Sequence, residues 1–420
     1  MKRTIAAVFL GAVLLAAAGC GGRGSVSSDS TASISPQFLR QVVAADNETG
    51  RTIMWQMNDR EENPAVEYRK AGSDDIRRAE GTVSHYEGRT DKKDHTYIYS
   101  AALTGLEKGT AYEYRAVTAK GKGPWASMKT DDGGPFTALI FPDSQSLDYN
   151  VWAHTATSAM NAHQDASFFI NMGDLTDNGE DFNQWNSWMN AAEPLMTSIP
   201  VAPIMGNHEA YSLDWKMKRP DTYLALFDLP KNSADGYQKY FYSYDWGDVH
   251  FTVLNTQQEE LKEWMPDLIK TEQAWLADDL ARTKKKWKVV LMHKDVLQYA
   301  FTKNPDRKAG FSDMGKAFMP IFDQYGVDLV LTAHLHTLRD RGHIRNFQRD
   351  AKGPLYVITG VAGDVRYPGL WIDHPLDEYV APQPETDNYL TLDAGADRLV
   401  LRAYLPDGTL LHEADVTKEK

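Results

Sequence analysis

The sequence predicts a small β-sandwich followed by a layered α/β domain, and three observations carry that expectation. From about Pro36 to Thr130, short alternating segments and turn signals recur without a helical apolar stripe of useful length. Beyond Gly133-Gly134-Pro135, β-rich apolar runs alternate with helical patterns. In that second region each strand of interest ends in a cluster of Asp, Asn, His and Gly, which is where open α/β sheets place ligand sites. The chain can support such a fold: 420 residues suggest two or three domains, and 42% hydrophobic with 11% aromatic residues supply a packed core and exclude a disordered chain. The formal charge of -13 opposes adhesion to nucleic acid. A phosphate-bearing ligand would then need a local positive centre, and a bound metal is the most economical one.

At the amino terminus, Lys2 and Arg3 precede an apolar run from Ile5 to Ala18 that is too short for a stable membrane span but fits a secretory segment. The run ends Ala17-Ala18-Gly19-Cys20, which resembles the lipobox of bacterial lipoproteins, with Ala17 where Leu is usual. The resemblance implies a signal peptide over 1–19 and a diacylglyceryl thioether on Cys20. An ordinary cleavable signal is the alternative. Cys20 is the single cysteine, and an exported free thiol would be an oxidation liability. The Gly/Ser-rich stretch through residue 35 reads as a flexible tether, so the expectation is an exported protein, lipid-anchored to the cell envelope with its folded part outside the cytoplasm.

Within the sandwich, placed at 36–131, Ile53, Trp55 and Met57 share one face of a strand. Tyr97, Tyr99, Ala101 and Leu103 share a face of another, and Tyr112 and Tyr114 of a third. The run from Leu103 through Gly105 and Gly109 to Tyr112 and Tyr114 resembles the tyrosine-corner strand entry of fibronectin type III domains. The aromatic residues read most simply as core.

In the second domain, placed at 132–418, strands are expected at Phe136 to Phe141, Ser167 to Asn171, Val201 to Met205, Val249 to Leu254, Val289 to Met292 and Val327 to Thr332. Helices are expected near 151–163, 181–192, 271–284 and 314–325. Five strand ends stand out: Asp143-Ser144-Gln145, Gly173-Asp174 with Asp177-Asn178, Gly206-Asn207-His208-Glu209, His293, and Ala333-His334-Leu335-His336. They offer only oxygen and nitrogen donors, which suit Zn, Mn or Fe rather than a soft metal. His334 and His336, at i and i+2, project to one side of an extended segment.

The five blocks, in this order, resemble the calcineurin-like metallophosphoesterase superfamily, and with the fibronectin-like region in front the chain is similar to the purple acid phosphatases. That resemblance implies two sheets flanked by helices and a two-metal site. Asp143, Gln145, Asp174 and His336 would hold one ion, while Asp174, Asn207, His293 and His334 would hold the other, Asp174 bridging. It implies hydrolysis of a phosphate ester by a bridging hydroxide, foremost as a phosphomonoesterase. His208 would serve the leaving group and Glu209 would orient it, or act as a cap. A phosphodiesterase acting on nucleotides or lipid head groups, or an inert surface-tethered binding protein, are the alternatives.

Three positions depart from the family pattern. Asp177 stands where purple enzymes carry a tyrosine, which implies an enzyme that is not purple and a second-shell or loop-capping role for Asp177. Gln145 replaces a frequent histidine and weakens the first metal site, and Ala333 replaces a glycine. Loops Tyr211 to Lys239 and Tyr299 to Ser312 are expected to select the substrate, with Lys294, Lys303, Arg307 and Lys308 as candidate phosphate contacts. The sequence leaves open the substrate, the metals and the oligomeric state.

Overall fold

The structure, a computed structural model, describes residues 32–87, 95–304 and 306–418. The signal segment, Cys20 and the tether up to residue 31 lie outside the described residues. Among the described residues no helix is long and apolar enough to cross a membrane.

In the sandwich, strands Arg51–Met57 and His95–Leu103 pair antiparallel with Trp55 opposite Tyr99. The two rings stack with centroids 5.2 Å apart, both fully buried. Together with Ile53, Tyr112 and Tyr114 they form the core against a second sheet built on Ala65–Lys70 and Ala111–Thr118. The Glu107 backbone N–H donates to the Tyr112 hydroxyl at 2.9 Å, tying the turn to the strand it enters, as the tyrosine-corner pattern anticipates.

Simple alternation does not describe the strand Arg51–Met57, because Arg51, Met54 and Gln56 are buried as well as Ile53 and Trp55. The cause is that the sheet continues beyond the sandwich. Strand Gln37–Val42 pairs with Arg51–Met57 on one side and runs parallel to Val201–Pro203 on the other, with Val42 opposite Val201. One ten-stranded sheet therefore extends from Thr82–Glu87 at one edge to Leu410–Thr417 at the other. Polar side chains pin the seam. Gln41 Nε2 donates to the carbonyls of Ser127 and Thr197 at 3.1 and 2.9 Å. Buried Arg40 donates to the Leu226 carbonyl from Nε and Nη2 at 3.1 and 2.7 Å, and burial lowers its pKa to about 9.

All six expected strands of the second domain are present. Phe136–Phe141, Phe168–Asn171 and Val201–Pro203 run parallel in the ten-stranded sheet, while Val249–Leu254, Trp287–Met292 and Leu329–Thr332 run parallel in a second sheet of eight. The four expected helices are Tyr149–Ala162, Phe182–Ser198, Leu268–Arg282 and Asp313–Tyr325, the first two capped by Asp148 and Asp181 and the last by Ser312. Phe182–Ser198 outlasts the expected end at 192 and passes through Pro194. The proline removes one backbone bond, but Trp185, Trp188, Met189, Leu195 and Met196 all pack into the core and hold the helix together. Antiparallel strands Tyr389–Ala394, Arg398–Tyr404 and Leu410–Thr417 complete the first sheet, and Leu338–Arg345, Leu355–Thr359 and Tyr242–Trp246 are among those that extend the second, all absent from the expected set.

Candidate metal centre

The parallel strands of both sheets end at one place, and the turns that follow them carry the expected side chains. Three of those side chains sit on backbone in the left-handed region, Asp174 at φ 47, His334 at φ 69 and His336 at φ 50, a local cost that concentrates at ligand sites. Gly206 lets two of these turns approach: a Cβ there would collide with the Asp174 carboxylate and backbone nitrogen.

Two ligand sets result. Asp143, Asp174 and His336 bring one donor atom each within 4.8 Å of one another, and so do Asp174, His293 and His334. Asp174 belongs to both. Asn207 Oδ1 lies 3.2 Å from His293 Nε2, so the amide joins the second set. Gln145 lies beside the first set, its backbone N–H donating to the Asp174 carbonyl at 2.8 Å and its Nε2 to Asp177 Oδ1 at 3.3 Å. His293 Nδ1 faces the Met172 carbonyl at 2.9 Å and His336 Nδ1 faces that of Val365 at 2.8 Å, which turns each Nε2 toward the carboxylates. Asp143 and Asp174 are fully buried, and among the described residues no lysine or arginine pairs with either. Gln145 Oε1 is a buried acceptor without a donor. Two buried carboxylates faced by imidazole nitrogens, with an orphaned amide oxygen beside them, fit a pair of hard or borderline divalent cations.

Burial would lower the pKa of His293, but the Asp174 and Asp143 carboxylates outweigh it and raise it to about 9, so this ring carries positive charge against them. Burial would raise the Asp174 carboxyl, but the imidazoles of His293, His208 and His334 hold it well below the usual carboxylate range. Burial pushes Asp143 up, with the Asp174 charge adding to it. Desolvation lowers His334 far below its ordinary value and brings His336 down to about 4, which keeps both rings neutral, the form that ligates.

Around this centre the structure selects the capping role for Glu209 and engages two candidate phosphate contacts elsewhere. Glu209 does not orient the His208 ring. Its buried carboxylate instead accepts the backbone N–H groups of Gly206 at 2.7 Å, Asp174 at 3.0 Å and Leu175 at 2.8 Å, strapping two ligand turns together. The His208 ring is held by the Asp177 carbonyl, 2.6 Å from Nδ1, because the turn after Asp174 folds back over it. Burial opposes protonation of His208, but the Asp174 carboxylate and the Asp177 carbonyl outweigh it and raise the pKa. Lys294 is bound by both oxygens of Glu260 at 2.8 and 2.7 Å, and Arg307 donates to the Tyr299 carbonyl at 2.9 Å, so neither points freely at the centre.

Sequence reasoning missed the segment 360–367. Val365 holds His336, Asp364 accepts the N–H groups of Leu147 and Asp148 at 2.8 and 2.9 Å, and the Tyr367 ring lies 4.7 Å from that of His336. The signal was present: strand Leu355–Thr359 ends in Gly360-Val361-Ala362-Gly363-Asp364, the same Gly and Asp grammar as the other strand ends.

Comparison with known proteins places this arrangement. Residues 137–338 match the family model described as calcineurin-like phosphoesterase, and residues 36–130 match that of the purple acid phosphatase N-terminal domain. Purple acid phosphatase 23 of Arabidopsis thaliana is 26% identical over 189 residues, 43% of this chain and 38% of its own length. Purple acid phosphatase 18 of the same plant is 23% identical over 74% of this chain and 68% of its own, and human acid phosphatase type 7 is 24% identical over 68% of each. The chain thus spans 38% of the length of the first of these relatives and 68% of that of the other two. Among solved structures, the purple acid phosphatase PPD1 of yellow lupin shares the fold at TM-score 0.74 and 16% identity, over 91% of this chain and 74% of its own. The structure of PhoD does so at 0.61 and 12%, over 91% and 89%.

Proposed function

The chain belongs to the calcineurin-like phosphoesterase superfamily, with a purple acid phosphatase N-terminal domain ahead of the catalytic fold, and on that premise we propose that it is a metal-dependent phosphomonoesterase. The observation that carries this reading is the pair of ligand sets meeting at Asp174. Asp143, Gln145, Asp174 and His336 would hold one divalent ion, and Asp174, Asn207, His293 and His334 the other. When bound, such a pair supplies Lewis-acid polarisation of the phosphoryl group and a water acidified toward neutral pH.

The remaining work falls to the chain itself. Met172 and Val365 fix the tautomers of His293 and His336, and Glu209 fixes the turns bearing Asp174 and Asn207. Water adds to phosphorus as the bond from phosphorus to the ester oxygen breaks, and the proton it releases passes to solvent, from which His208 is reprotonated for the next turnover. The departing oxygen takes a proton from His208, whose Nδ1–H is occupied by Asp177 and whose Nε2 is left to meet the substrate. The products are an alcohol and inorganic phosphate.

The test is turnover of a chromogenic monoester and diester panel with Mn, Zn or Fe present. Metal-dependent turnover led by the monoester is expected. Absence of any metal-dependent turnover would leave an inert binding protein, and a dominant diester rate would make the protein a phosphodiesterase. We further infer that Cys20 carries a lipid and anchors the exported protein to the cell envelope, from the sequence pattern before it. Wild type should then sediment with membranes and Cys20→Ser should not, whereas a wild type that is soluble after export would refute the anchor.

A further inference from the structure

Beside His208, residues 211–217 form a tight hairpin closed by the bridge between Tyr211 and Met217. Its turn is fixed by Ser212 N–H to the Lys216 carbonyl and Trp215 N–H to the Ser212 carbonyl, both at 2.8 Å. It is also bolted to the turn that follows the bridging aspartate. Asn178 Nδ2 donates to the Ser212 carbonyl at 2.8 Å, Leu213 N–H donates to Glu180 Oε2 at 2.9 Å, and Lys218 pairs with Glu180. This rigid support presents a residue that the fold itself does not use. Trp215 is 57% exposed and sits at φ 56, where a bulky side chain is strained, so the position forfeits both apolar burial and backbone comfort. Strain of this kind, held by an over-determined surround, marks binding sites.

The Trp215 ring stands edge-on to His208, centroids 6.0 Å apart at 87°, and Tyr211 stands beside both, 5.6 Å from His208 and 6.1 Å from Trp215. We propose that Trp215, backed by Tyr211, is a stacking platform for an aromatic group on the leaving side of the substrate, so that aryl or nucleoside phosphates are preferred over small alkyl phosphates. The proposal rests on the hydrolytic reading above, because His208 defines the leaving side only if it serves the ester oxygen. Stacking of a planar group on an exposed indole is sequence-blind and strong, and it needs the ring to be held in place in advance, which the Glu180 and Asn178 contacts accomplish.

The experiment compares metal-loaded wild type with Trp215→Gly and Trp215→Phe. Glycine suits the left-handed backbone, so Trp215→Gly should keep or raise the melting temperature, which separates a binding defect from a folding one. By calorimetry, wild type should bind phenylphosphonate roughly tenfold more tightly than methylphosphonate, Trp215→Gly should level the two, and Trp215→Phe should keep part of the difference. In turnover, the loss in Trp215→Gly should fall on KM for phenyl phosphate and spare glycerol phosphate. Equal affinities in wild type, or discrimination that survives in Trp215→Gly, would overturn the platform. Retained discrimination in a wild type that turns over no ester would instead overturn the hydrolytic reading and leave the aromatic subsite standing.

Discussion

Glu209 Oε2 accepts the backbone N–H of Asp174 at 3.0 Å, so the carboxylate of one turn sets the conformation of the residue shared by both ligand sets. The same oxygen takes the Gly206 N–H and Oε1 takes that of Leu175. Glutamine at this position would turn an amide NH2 toward donors and break part of the strap. Glu209→Gln should therefore lower the affinity for Mn or Zn by about 10- to 100-fold, the usual loss for a partner behind the ligands. Isothermal titration measures it, and unchanged affinity would show that the strap is idle.

Asp174→Asn should leave a folded protein that holds fewer than two ions per chain, since the neutral amide offers one oxygen where two ligand sets need two. Turnover should fall by at least about 100-fold, the upper end of the loss for an outer partner. Elemental analysis finding two tightly held ions together with full activity would refute the bridge.

His250 provides a pH signature remote from the metals. Its ring nitrogens lie 2.7 Å from Asp245 and 2.9 Å from Asp279. Burial alone would lower its pKa, but the two carboxylates outweigh it and raise the value to about 9. A raised folded pKa stabilises below the unfolded value of about 6.5, and the gain is lost as pH climbs through about 9. With Asp245 partly exposed, the contribution should be about 2 kcal/mol. Denaturation of wild type and His250→Gln should differ by that much at pH 6 and by little at pH 10, and a gap independent of pH would show that packing alone is at stake.

Loaded with iron, the protein should show no strong visible charge-transfer band. Asp177, not a tyrosine, stands three residues after Asp174, and its side chain meets Gln145. Tyr367 is the phenol to test, its ring lying 4.7 Å from that of His336 and its pKa pushed up to about 12 in the metal-free protein by burial and by Asp174, Asp143 and Asp177. A purple band that disappears in Tyr367→Phe would add a ligand to the set.

The centre was readable in the sequence because every ligand follows a short apolar strand, and such strand ends are local patterns. The edges of the fold were not. Leu338–Arg345 begins two residues after His336 and carries Arg339, Asp340 and Arg341 in succession, each buried through an ion pair, with Asp377, His412 and Asp295 respectively. Those pairings link residues far apart in the chain, which no local window contains. The choice between the two readings of Glu209 was likewise not legible, since its partners are backbone groups and leave no trace in composition.

The sheet shared by the two regions has a consequence for anyone who would cut them apart. Val201–Pro203 takes its outer neighbour from Gln37–Val42, and Phe38, Val42, Met54 and Ile98 lie in the same apolar cluster as Phe169 and Met196. A catalytic fragment beginning near residue 132 would carry a raw strand edge flanked by bare apolar surface, the usual template for aggregation. The amino-terminal sandwich thus covers an edge of the domain that carries the metal centre and is not an appendage.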